Sequence, residues 1–251
     1  TDIQWTSGSQ DHGFYIQTSD NLIEKSEIDT VENGYAFHLF NDGGNNNIIR
    51  KNRIRNCQLG VVVNGTNNEL YDNLVYNLTT VDAGVGIEDG SSPGATGTKI
   101  YNNTFWGNWN ASIVVKNTST GAEVRNNIVQ NTTGAADSIQ LAGTNTVCTH
   151  NIADKLITNY SSVNLPINNN SENTNALLVN PPTDMTLQAS SPAIDTGVTL
   201  TSVADDFDSV ARPLGAGYDR GAYESSGSSP TVPASIRMAF MRIMSWALVV
   251  H

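Results

Sequence analysis

The sequence predicts an all-β protein, a single-stranded right-handed parallel β-helix with an irregular C-terminal cap. Three observations lead there. A degenerate phrase, apolar–polar–x–Asn–x–apolar, recurs as NNIIRKNRIRN at 46–56, NELYDNLVYN at 68–77, TKIYNNTFWGN at 98–108 and AEVRNNIVQN at 122–131, with worn copies at 21–29 and 146–154. A glycine-led run of alternating apolar residues precedes the copies, opening at Gly13, Gly34, Gly60 and Gly84. Residues 1–225 are also poor in helix formers. A repeat of about 20–30 residues built from short strands marks a solenoid, in which each coil contacts only its neighbours. The hand follows from the usual sense of parallel crossovers.

The glycine-led run supplies the first strand of each coil. Alternation sends Phe14, Ile16, Phe37, Val61, Val63, Val85, Ile87, Ile113, Val115, Ile139 and Leu141 to one side. The Asn phrase supplies two more strands, with Ile23, Ile28, Ile49, Ile54, Leu70, Val75, Ile100, Phe105, Val124, Val129, Val147 and Ile152 inside. Between those two strands stand Ser26, Asn52, Asn73, Asn103, Asn127 and His150. An inward amide at a bend can bond its equivalent in the next coil and the turn backbone, which satisfies polar groups that have no other partner. The expected organisation is six or seven coils over residues 1–180, a cap over 181–224, a Ser/Pro linker over 225–235 and an apolar tail over 236–251. The opening Thr1–Trp5 already reads as strand, as if the chain starts inside a longer solenoid.

The net charge of −11 argues against a general nucleic-acid binder, which needs a basic face to displace counterions. No run of 18 or more uncharged apolar residues is present, so no membrane-spanning helix is expected. The two cysteines, Cys57 and Cys148, are several coils apart and cannot pair.

Beyond the coils come Ser191-Pro-Ala-Ile-Asp-Thr-Gly197 and then Asp206-Phe-Asp-Ser-Val-Ala-Arg-Pro-Leu-Gly-Ala-Gly-Tyr-Asp-Arg-Gly-Ala-Tyr-Glu224. This pair of phrases resembles the close of many secreted bacterial right-handed parallel β-helix proteins of the pectate-lyase-like superfamily. Ser209 stands where that pattern usually has Gly. The resemblance implies the fold and an extracellular or cell-surface setting. Such families include polysaccharide lyases, epimerases, hydrolases and members without activity. Physically, the segment can cover the open end of a solenoid. Asp206, Asp208 and Asp219, with Asp205, have the oxygens for Ca²⁺; the competing reading is that they bond turn amides or arginines. The open ends of such a solenoid are also candidate surfaces for self-assembly.

Two surfaces carry candidate chemistry. Outward positions of the first strands place Gln17, His38, Asn64, Glu88 and Lys116 in one column, flanked by Asp82 and Asp89. A polysaccharide lyase needs a base near the sugar C5 proton and a means of neutralising the uronate carboxylate. Lys116 as base, Glu88 and Asp89 positioning a cation or substrate, and an assisting His38 supply those residue types. A hydrolase would instead pair Glu88 with Asp82 or Asp89. Ordinary solvated polarity explains the same column. The second surface aligns Arg50, Tyr71, Tyr101, Arg125 and Cys148, beside Tyr76 and Trp106. Flat aromatic faces stack on sugar rings and arginines bond hydroxyls or carboxylates. The competing reading is that a loop or the C-terminal segment covers this stripe. His12 falls out of register with His38 and is expected in a turn. The functions carried forward are an extracellular carbohydrate-binding or carbohydrate-active protein acting on polysaccharide, and a non-catalytic surface solenoid.

Overall fold

A computed structural model describes residues 11–40, 44–78, 84–91, 94–161 and 167–226. Its strands are mostly three to five residues long and stack in three parallel sheets. The first sheet is Phe14–Ile16, Tyr35–Leu39, Leu59–Val63, Ile87–Asp89, Ile113–Val115, Asp137–Leu141 and Leu156–Asn159. The second is Leu22–Glu24, Ile48–Arg50, Glu69–Tyr71, Lys99–Tyr101, Glu123–Arg125, Val147–Thr149 and Ile167–Asn168. The third is Glu27–Asp29, Arg53–Arg55, Leu74–Tyr76, Thr104–Trp106, Ile128–Gln130 and Ile152–Ala153. Successive strands within each sheet come from successive coils, as a β-helix requires. The interior is one continuous apolar cluster running from Ile16 to Ile157, in which Phe37, Ile49, Leu70, Ile100, Phe105 and Val124 are fully buried.

Asparagine is abundant because the corners demand it. Between the second and third sheets a column of residues takes positive φ: Lys25, Lys51, Asp72, Asn102, Asn126, His150 and Asn169, all between 48° and 58°. Asn and Asp tolerate that left-handed conformation better than other side chains. The next residue of each corner points inward and builds the ladder. Asn52, Asn73, Asn103, Asn127, Asn151 and Asn170 each accept, on the side-chain oxygen, the backbone N–H of the equivalent residue one coil earlier, at 2.9–3.0 Å. Their Nδ2 groups donate to carbonyls such as Ile49 O and Leu70 O.

The ladder corrects the last copy of the repeat. Asn151, not His150, continues it, and His150 takes the preceding left-handed position. The register therefore moves by one. Cys148 pairs with Val124 and Ala153 with Val129, so both point inward, while Val147 pairs with Glu123 and Ile152 faces out under the C-terminal segment. The expected outward place of Cys148 and inward places of Val147 and Ile152 were one residue off, because His-Asn offers two polar residues where the ladder takes the second.

The first strands also shift. Phe14, Phe37, Val61, Ile87, Ile113 and Ile139 share one column. The small residues just before them, Gly13, Ala36, Gly60, Gly86, Ser112 and Ser138, form the aligned set; Gly34 and Gly84 lie two positions earlier. The approach is close: a Cβ at Gly60 would stand 2.0 Å from Gly86 O, and one at Gly86 2.8 Å from the Phe105 ring. Val85 leaves the main core for a smaller cluster with Leu59, Ala111 and Val114.

Residues 176–224 lie along the side of the solenoid. They cover the outer face of the third sheet, with Leu178, Met185, Ala193 and Tyr223 packed on Leu74, Ile128 and Ile152. They also follow the left-handed corner: Asp205 pairs with Lys51 at 2.7 Å, Arg212 with Asp72 at 2.8 Å, and Asn102 and Asn126 donate to Asp219 O and Val198 O. The contacts are thus lateral rather than across an open end, because the outward-pointing polar side chains of the corner supply hydrogen-bonding partners coil after coil. The tail 236–251 and nearly all of the linker lie outside the described residues.

Candidate functional site

The aromatic stripe expected to bind sugar is covered. Tyr71 and Tyr101 pack beneath Leu200, Val203 and Tyr218, and Tyr76 and Trp106 lie in the cluster under Met185 and Leu187. The tyrosines are only 4–6% exposed. Arg50 is engaged by Glu24 and the Tyr71 hydroxyl, and Arg125 by Glu123. The alternative stated above, that the C-terminal segment hides these rings, is what the geometry shows. Their apolar faces serve as the floor on which that segment docks.

The outward column of the first sheet runs Tyr15, His38, Val62, Glu88, Val114 and Gln140. His38 and Glu88 belong to it, two coils apart with Val62 between. Lys116, just past its strand, reaches Glu88 at 3.7 Å. Gln17 and Asn64 fall two positions past that column, in the row of Lys116, and Asn64 is buried. Asp89 is not outward at all. It pairs with Val63 and Val115 in the inward column and is fully buried. Strand alternation puts it on the opposite side from Glu88, so neither a shared cation nor a hydrolytic carboxylate pair can form from these two. Asp82 lies outside the described residues.

A constellation missed in the sequence stands at the head of this column. His12 and His38 are hydrogen-bonded, Nε2 to Nδ1, at 2.9 Å. The backbone N–H of Tyr35 donates to His12 Nδ1 at 3.1 Å. Around them gather Tyr15, Tyr35 and Phe40, with ring centroids 5.0–5.8 Å from a histidine ring. Tyr15 is 49% exposed. Burial lowers the pKa of His12, and lowers that of His38 to about 4 with help from His12, so both imidazoles are neutral at neutral pH. Burial, with Glu88 nearby, raises Tyr35 to about 12 and keeps its hydroxyl protonated. The expectation that His12 and His38 stay apart rested on aligning the leading glycines. Aligning Phe14-Tyr15-Ile16 with Phe37-His38-Leu39 instead puts His12 beside Tyr35 and would have found the pair.

The carboxylates expected to hold Ca²⁺ do other work. Asp206 accepts the backbone N–H groups of Asp208, Val210 and Glu224, and Asp219 those of Asp195 and Ser225. Asp208 lines a cleft of about 340 Å³ with Lys25, Glu27, Lys51 and Arg53, where Lys51 already pairs with Asp205. Among the described residues no three His, Cys, Asp or Glu side chains are grouped as metal ligands.

A family model described as a right-handed beta helix region matches residues 2–175. The chain belongs to that family, which fixes the hand of the solenoid and fits the pectate-lyase-like superfamily in the broad sense. None of the curated proteins matches the chain. No helix among the described residues is long and apolar enough to cross a membrane.

Proposed function

We propose that the protein is an extracellular or cell-surface β-helix that binds polysaccharide on the outward face of its first sheet, at the coils carrying Tyr15 and His38. The observation that carries this reading is the packed group of five rings, His12, Tyr15, Tyr35, His38 and Phe40, with Tyr15 half exposed. Aromatic faces bury the C–H faces of sugar rings, and the tyrosine hydroxyls and imidazole edges supply hydrogen bonds. Binding without bond cleavage is the reading best supported. Lys116 pairs with Glu88 at 3.7 Å and Asp89 is turned away, so the base and its two carboxylate helpers are not assembled at one place. Tyr15→Ala should weaken binding to an oligosaccharide panel by about 1–2 kcal/mol, some tenfold in Kd, with the melting temperature nearly unchanged. Calorimetric titration measures it, and equal affinity in the two proteins would rule this face out.

A further inference from the structure

We infer that this face selects uncharged sugar rings, with His38 as the specificity-determining donor and His12 as the residue that positions its proton. The inference rests on the glycan-binding reading and adds to it the ligand class. It starts from hydrogen-bond directions. The Tyr35 N–H can only donate, so His12 Nδ1 accepts and carries no proton. In a neutral imidazole the proton then sits on Nε2, which donates to His38 Nδ1. His38 Nδ1 is thereby the acceptor, and its own proton is confined to Nε2. The backbone of one coil thus fixes, through two rings, a single N–H donor on the outward column.

A fixed neutral donor suits an acceptor oxygen of a sugar hydroxyl or ring ether. It offers a carboxylate little, and the surroundings offer less. Among the described residues the ionic groups at this face are Asp11 beside His12, Glu88 within electrostatic reach of Tyr35, and Lys116, which already pairs with Glu88. A uronate would be desolvated near two carboxylates, with no unpaired cation among the described residues to receive it. A neutral pyranose meets rings, hydroxyls and the His38 N–H.

The test has two arms. Long-range ¹H–¹⁵N spectra of the full chain at pH 7 should show both His12 and His38 as neutral Nε2–H tautomers. A proton on Nδ1 of either ring, or an imidazolium, overturns the relay. Titrations with cellohexaose, xylohexaose and mannohexaose, against hexagalacturonate and hexamannuronate, should show the tightest neutral oligosaccharide binding at least about tenfold better than either uronate. His38→Phe keeps a ring but loses the donor, and affinity should fall roughly three- to tenfold. His12→Ala should fall similarly and mix the His38 tautomers. His12→Gln, whose amide can accept from Tyr35 and donate to His38, should restore both. If uronates bind as well as neutral sugars, the selectivity is overturned and the glycan-binding face stands. If no sugar binds, the glycan-binding reading falls and the ligand class with it, whatever the spectra show. The wild-type spectra decide the relay even if a variant fails to fold.

Discussion

At the scale of single residues, Asp89 is a fully buried carboxyl in the coil interior. It fills an inward position between Val63 and Val115, where every neighbouring coil places an aliphatic side chain. The hydroxyls of Thr98 and Ser119 lie close, but neither makes a well-formed bond to the carboxyl, and Ser119 Oγ donates to the Asp89 backbone carbonyl instead. Burial raises its pKa to about 6. The folded protein therefore binds a proton more tightly than the unfolded chain, whose Asp titrates near 3.9. Its contribution to stability is intact below about pH 4 and is lost as pH rises through about 6. The difference amounts to roughly 3 kcal/mol at most. Asp89→Asn should raise the melting temperature above pH 7 and leave it unchanged near pH 4. Parallel thermal melts at the two pH values check this, and an equal shift at both would show that ionisation is not the cause.

At the scale of the element, the corner ladder does what strand propensity cannot. Strands of three residues hold little on their own, and each coil must turn twice more before it meets its equivalent. Asn103 joins three coils at once: its Oδ1 accepts from Asn73 N and its Nδ2 donates to Leu70 O and Asn127 Oδ1. Asn103→Ala leaves buried backbone groups unpaired at about 1–3 kcal/mol each, so a loss of roughly 2–6 kcal/mol is expected. Urea unfolding measures it, and a loss below 1 kcal/mol would mean that water or a rearranged turn takes over the bonds.

At the scale of the whole molecule, the closing segment ties the solenoid together lengthwise. Arg212, buried, bonds Asp72, Glu224 and the carbonyls of Asp219 and Gly221. Burial pushes Asp72 up to about 8 against the pull of Arg212. Arg212 donates to Asp72 at 2.8 Å, and Glu224 balances the guanidinium charge. Arg212→Met leaves Glu224 buried without its partner, at about 3–5 kcal/mol. The segment should loosen and bare Tyr71 and Tyr101. Hydrogen–deuterium exchange across 69–71 and 99–101 should rise, and unchanged protection there would show that apolar packing alone holds the strap.

The sequence by itself determined the repeat, the inward apolar columns and the corner amides, because all three are periodic and local. Asn52, Asn73, Asn103 and Asn127 are readable as a ladder without coordinates. The faults came where periodicity is ambiguous. Two polar residues at His150-Asn151 hid a one-residue step, and a glycine chosen as origin misplaced the first strands by two, which separated His12 from His38. Only the tertiary structure decided which outward rings meet water. Tyr71 and Tyr101 have the same outward parity as any solvent-facing strand residue, and what buries them is chain about a hundred residues or more further on. Alternation states which side of a strand a residue takes; whether that side stays open depends on long-range packing, which no local pattern encodes.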